Sequence, residues 1–140
     1  MIGFKETYYF LNENVLVINF CYTDGGTLCY TDLIKIGVAM DNGEIVFYEA
    51  GGYITNHRER AFLTPVYSTE EAEAVLSKNL TVKGVGFALI PTHSTEEIRC
   101  YEFHCQAPDS TEILVYINPS TLEEEDILIL LKSDGGTLVK

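Results

Sequence analysis

A strand pair closed by a tight acidic turn occurs twice in this chain, at Ile34–Ala50 and at Ile113–Leu131, and this repeat constrains the fold most. In the first copy Ile34, Ile36, Val38 and Met40 alternate, which turns one apolar row inward. Asp41-Asn42-Gly43 reverses the chain, since Asn-Gly accepts positive φ easily, and Glu44–Ala50 pairs back. In the second copy Glu112–Ile117, Asn118-Pro119-Ser120-Thr121 and Glu125–Leu131 take the same parts. A helix is expected ahead of the second copy, over Ser68–Leu76. Ser68 and Glu71 have capping-box spacing. Glu70, Glu71 and Glu73 suit the positive helix start. Ala72, Val75 and Leu76 share an apolar face, and Asn79 ends the helix. So short a helix must draw its stability from docking on a sheet. Only seven or so residues after Met1 precede the first copy's strands, so its opening helix is expected to be missing.

The remaining segments read as strands and turns. Strands are expected at Thr7–Leu11, Val15–Tyr22, Thr27–Tyr30, Val82–Pro91, Ile98–Gln106 and Thr137–Lys140. Asn12-Glu13-Asn14, Asp24-Gly25-Gly26, His93–Glu97, Ala107–Ser110 and Gly135-Gly136 supply the turns. Gly51-Gly52 loosens the chain, and Tyr53–Leu63 has room for one helical turn. The strand bearing Ile18-Asn19-Phe20 aligns with the one bearing Tyr101-Glu102-Phe103. The fold class is α+β, with units at residues 1–64 and 65–140. Each unit is small enough to be marginal alone.

A formal net charge of −12 over 140 residues, with nine scattered Lys and Arg, argues against a nucleic-acid-binding surface and disfavours anionic membranes. No apolar run reaches the ~18 residues that span a bilayer. MIGFKETYYF has neither a basic n-region nor a cleavage motif. Cys21, Cys29, Cys100 and Cys105 form no zinc-ribbon or CxxC spacing. Cys21 and Cys29 flank a hairpin turn where a disulfide is geometrically awkward; small buried thiols are the favoured reading.

The strings GYITNHRER (52–60), ALIPT (88–92), CYEF (100–103) and VYIN (115–118) resemble the C-terminal region of YpeB-type spore-germination proteins. The turns at Asp41–Glu44 and Asn118–Glu124 resemble the hairpin of the PepSY module, though Leu122 and Glu123 stand where the family pattern has Thr-Gly. The resemblance implies tandem PepSY-like modules, each a small antiparallel sheet with a packed helix, the first lacking its opening helix. It marks Ile90, Pro91, Tyr101, Glu102, Phe103, Tyr116 and Asn118 as family-motif positions. It also implies an extracytoplasmic place in the endospore, on the inner-membrane and cortex side. The implied partner is a protein, a cortex-lytic enzyme. No nucleic acid, no membrane contact by this chain and no cofactor are expected, and a homodimer is among the assemblies considered. The implied role is a non-catalytic regulatory or binding module that stabilises, localises or restrains a cortex-lytic hydrolase. The alternatives are an inhibitor-like module for a peptidase and a structural spacer.

No nucleophile context such as GxSxG is present. Tyr53, Asn56, His57 and Arg58 lie in a polar connector expected to contact a partner or clasp the modules together. Glu102 and His104 share a strand face, because alternate residues point the same way. Two ligands are too few for a metal, and a surface ion pair is expected. Glu123-Glu124-Glu125-Asp126 lacks the ligand alternation of a calcium loop and reads as a solvated turn. Seven of the nine tyrosines fall at Tyr8, Tyr9, Tyr22, Tyr30, Tyr48, Tyr53 and Tyr67, which favours an interface there. The row Ile34, Ile36, Val38 and Met40 is expected to be hidden by packing or dimerisation.

Overall fold

The computed structural model describes residues 2–92, 96–133 and 136–139, with no side chains described at 2 or beyond 130. The chain divides into two compact units, residues 1–58 with 132–138, and residues 59–131 with 139–140. Expectations for His93, Ser94, Thr95, Gly135 and Lys140 fall outside the described residues.

The first unit is an antiparallel meander of β1 (Ile2–Asn12), β2 (Val15–Asp24), β3 (Thr27–Ala39) and β4 (Ile45–Glu49). A short β9 (Gly136–Val139) meets β1 through the Phe10–Gly136 pair. Helix α1 (Gly51–Asn56) follows β4. Thr27–Tyr30 and Ile34–Met40, expected as separate strands, are one strand, β3. Tyr22 faces Cys29 while Cys21 faces Leu33, so Tyr30, Thr31 and Asp32 bulge out without ending the pairing.

The second unit is a meander of β5 (Thr81–Pro91), β6 (Glu97–Gln106), β7 (Glu112–Ile117) and β8 (Glu124–Ser133), preceded by α2 (Thr69–Glu73). The capping box forms as the sequence predicts: Glu71 N–H donates to Ser68 Oγ at 3.1 Å, and Ser68 N–H donates to Glu71 Oε1 at 3.2 Å. The helix is shorter than Ser68–Leu76. It ends at Glu73, and Val75 is exposed. Ala72 is buried against Tyr101, Phe103, Cys105, Val115 and Ile117, with Leu76 and Leu80 packed on the rim. Docking of this one alanine-faced turn, rather than helix propensity, holds α2 in place.

The two meanders share one pairing scheme. Ile36 faces Tyr48 where Val115 faces Ile127, and Gly37 faces Phe47 where Tyr116 faces Asp126. Register slips between Gly37 and Val38 and between Tyr116 and Ile117, at the same rung of each hairpin. The opening strands match as well, each with an irregularity at the corresponding rung, at Glu6/Tyr9 beside Phe20 and at Val82/Gly84 beside Cys105. The closing turns are alike bond for bond. Ala39 N–H donates to Glu44 O and Gly43 N–H to Ala39 O, both 2.8 Å; Asn118 N–H donates to Glu123 O and Leu122 N–H to Asn118 O, both 2.8 Å. Gly43 (φ 74°) and Leu122 (φ 64°) hold the same left-handed position. The pairs also correct the alignment read from sequence. Leu16 faces Val38 where Tyr101 faces Ile117, so Leu16-Val17-Ile18 matches Tyr101-Glu102-Phe103, two residues earlier than expected. Aromatic spacing alone could not fix that register.

Candidate functional site

In the first unit the site grows from the bulge on β3. A bulge re-aims the side chains it carries, and here it buries Asp32 completely. Gly52 lets α1 come close, since a Cβ there would stand 3.3 Å from the Thr31 and Leu33 carbonyls. Asn56 Nδ2 donates to Thr31 O at 2.8 Å, and His57 Nδ1 lies 2.9 Å from Asp32 Oδ2. With Asp32 ionised, that distance requires the proton on Nδ1. Thr31 Oγ1 donates to Asp32 Oδ1 at 3.2 Å. Tyr53 stacks on His57 at 4.4 Å and meets Phe4 and Tyr22. Asn56 and His57 therefore tie α1 to β3, and Tyr53 packs it on β1 and β2, within one unit, while Arg58 is exposed. Burial, then the charge of Asp24, pushes the Tyr22 hydroxyl above its ordinary pKa.

In the second unit residues 100–103 of β6 are buried on both faces. Tyr101, Phe103 and Cys105 face α2; Cys100 and Glu102 face the other way, beside Ala88, Leu114 and Tyr116. Glu102 is 3% exposed, not at the surface as expected for an ion pair with His104. Tyr116 OH donates to Glu102 Oε2 at 2.7 Å, and His104 Nε2 lies 3.1 Å from Oε1. A buried carboxylate persists only with such partners. Burial, then the charge of Glu125, pushes the Cys100 thiol up to about 12, which makes it a poor nucleophile. Burial also raises the Cys105 thiol and the Tyr101 hydroxyl. All four cysteines are buried.

The stretch leading into α2 is laced to the second sheet. Arg60 forks onto Glu97 with two 3.0 Å bonds, both side chains nearly buried. Arg99 lies between the rings of Phe62 and Phe87, and its Nη2 donates to Leu63 O at 2.6 Å. Desolvation lowers its pKa, and the charge of Tyr101 works against that shift. Val66 and Tyr67 N–H donate to Pro119 O at 3.2 and 3.0 Å, and Tyr101 OH donates to Tyr67 O at 2.7 Å. Asn118 organises the β7–β8 turn, with Oδ1 accepting from Ser120 N–H at 2.8 Å and Nδ2 donating to Glu125 Oε1 at 3.1 Å. Ile90 is buried and Pro91 exposed.

The family-motif residues Tyr101, Glu102, Phe103, Tyr116 and Asn118 thus lie on β6, β7 and the β7–β8 turn, while Tyr53, Asn56 and His57 serve the other unit. Sequence reasoning missed Asp32 and Arg60. An acid inside a strand with only one other charged residue, Lys35, and His57, the one histidine before residue 93, were the available signals for the first. Among the described residues, no group of three or more His, Cys, Asp or Glu is placed to hold a metal ion. No described helix is long and apolar enough to cross a membrane.

Residues 1–63 match the family described as YpeB sporulation, PepSY1 and PepSY2 domains. The sporulation protein YpeB of Halalkalibacterium halodurans is 36% identical over 115 residues, 82% of this chain and 26% of the relative. That of Bacillus subtilis is 30% identical over 115 residues, 82% of this chain and 25% of the relative. The solved Bacillus megaterium YpeB C-terminal domain superposes with a TM-score of 0.83 at 26% identity, over 92% of this chain and 57% of that one. The chain is of the YpeB type. It spans about a quarter of the length of the curated YpeB relatives it matches.

Proposed function

We propose that this YpeB-type chain acts by binding protein, as two PepSY-like modules and without reactive chemistry of its own. The observation that carries the reading is the shared pairing scheme: one four-stranded meander used twice, helix-covered once and open once. The buried acids support it, since Asp32 and Glu102 commit their oxygens to internal partners. The partner in this reading is a hydrolase that degrades the spore cortex, outside the cytoplasm, which the chain stabilises, localises or restrains. Co-precipitation of the purified chain with a cortex-lytic hydrolase from the same spores tests this. Retention of the hydrolase at a stoichiometry near one supports the reading, and its loss in the wash overturns it.

A further inference from the structure

We propose that Asn42 is a spontaneous deamidation site, converted by water to aspartate and isoaspartate, and that the isoaspartate form releases β4. An asparagine amide is lost in this way when the next backbone nitrogen attacks its Cγ. That nitrogen gives up its proton, ammonia leaves, and a five-membered succinimide forms. Water then opens the ring at either carbonyl, so neither an oxidant nor an enzyme is required. Attack is fastest where the next residue is glycine, which has no Cβ to crowd the ring. Asn42 is the one asparagine in the chain followed by glycine. Both residues are exposed, and nothing lies within 4 Å of a Cβ built on Gly43, so the ring has room.

The turn both primes the reaction and restrains it. Glu44 N–H donates to Asn42 Oδ1 at 2.9 Å, which folds the side chain over the Gly43 peptide and polarises the carbonyl under attack. Gly43 N–H donates to Ala39 O at 2.8 Å, so the nucleophile is held back until the turn opens. The matching turn of the second unit cannot react. Thr121 stands in the place of Asn42, its Oγ1 accepting from Glu123 N–H at 3.2 Å. Asn118 precedes Pro119, whose nitrogen has no proton to lose. The two products differ in what they do to the hairpin. Aspartate keeps an oxygen for Glu44 N–H and adds a charge beside Asp41 and Glu44. Isoaspartate carries the backbone through its Cβ. That puts one extra carbon into the loop closed by Ala39 N–H on Glu44 O and Gly43 N–H on Ala39 O. β4 is weakly held beyond this turn, since it pairs with β3 across residues 35–38 and is exposed throughout.

The test is to age the whole chain in mildly alkaline water enriched in heavy oxygen, beside a free peptide of residues 38–46, and to map both by mass spectrometry. Asn42 is expected to take up one heavy oxygen at least tenfold faster than any other asparagine, more slowly than in the free peptide, with isoaspartate in excess. Gly43→Ala is expected to slow the uptake at least threefold. Asn42→Thr, which copies Thr121, is expected to keep its β4 amides protected from hydrogen exchange throughout ageing. The aged native chain is expected to lose that protection in proportion to its isoaspartate. No uptake at Asn42 over ten half-lives of the free peptide overturns the proposal, as does uptake spread evenly over the asparagines. An isoaspartate form whose residues 45–48 stay as protected as those of Asn42→Thr overturns the release of β4.

Discussion

Beneath α2, Tyr101, Phe103 and Cys105 of β6 are buried; the matching Leu16, Ile18 and Phe20 of β2 are half-exposed, though their strands pair in the same register. The difference lies in what covers the face. Backbone pairing and turn chemistry build the meander twice, and a single turn of helix decides whether its apolar row becomes a core or a surface. Side chains follow that division. Tyr116, on the covered unit, supplies its hydroxyl to a buried carboxylate; the same rung of the open unit is Gly37, where any Cβ would run into the Phe47 ring. β4 beyond it is exposed throughout, Ile45 at 67%.

If cover is the difference, truncations on the two faces will differ in cost. Phe103→Ala is expected to destabilise by about 3–5 kcal/mol, as for a fully buried ring, and Ile18→Ala by only about 1–2 kcal/mol. Urea denaturation of both variants measures this, and equal losses break the comparison. Asp32→Ala, which leaves His57 and Thr31 without their acceptor, is expected to cost about 2 kcal/mol and to expose the α1 amides to exchange first.

Cys100 gives the buried unit a pH limit that the open face lacks. Its folded pKa, about 12, exceeds the unfolded value, so its contribution is whole below about pH 8.5 and declines as pH rises toward 12. Thermal melts are expected to fall from pH 9 upward in the native chain and to fall less in Cys100→Ala.

Smaller effects sharpen the match between turns and helix. Ser68→Ala removes half of the capping box and is expected to cost about 1 kcal/mol. Gly43→Ala meets open space but keeps φ positive, and is expected to cost about 1 kcal/mol. Leu122→Gly relieves the same backbone strain but gives up contact with the core under α2, so its net change is expected to stay within about 1 kcal/mol.

Much of this was legible before any coordinates. Asn42-Gly43 marked one closing turn, and the Ser68–Glu71 spacing marked the start of α2, because both are local chemistry. The end of α2 was not legible, since it depends on which face docks. Met40, expected inward with Ile34, Ile36 and Val38, is largely exposed because β3 ends at Ala39 and Met40 opens the turn. α1 was only glimpsed as one turn within Tyr53–Leu63, since its place depends on a bulge that no periodicity reveals. Glu102 read as a surface charge because alternation cannot tell that both faces of β6 are covered.

Native-state hydrogen exchange of the whole chain tests the central claim most directly. The amides of Tyr101–Cys105 on β6 should exchange only through global unfolding, while those of Leu16–Phe20 on β2 exchange at least tenfold faster. Equal protection of β2 and β6 in the free chain would contradict the account.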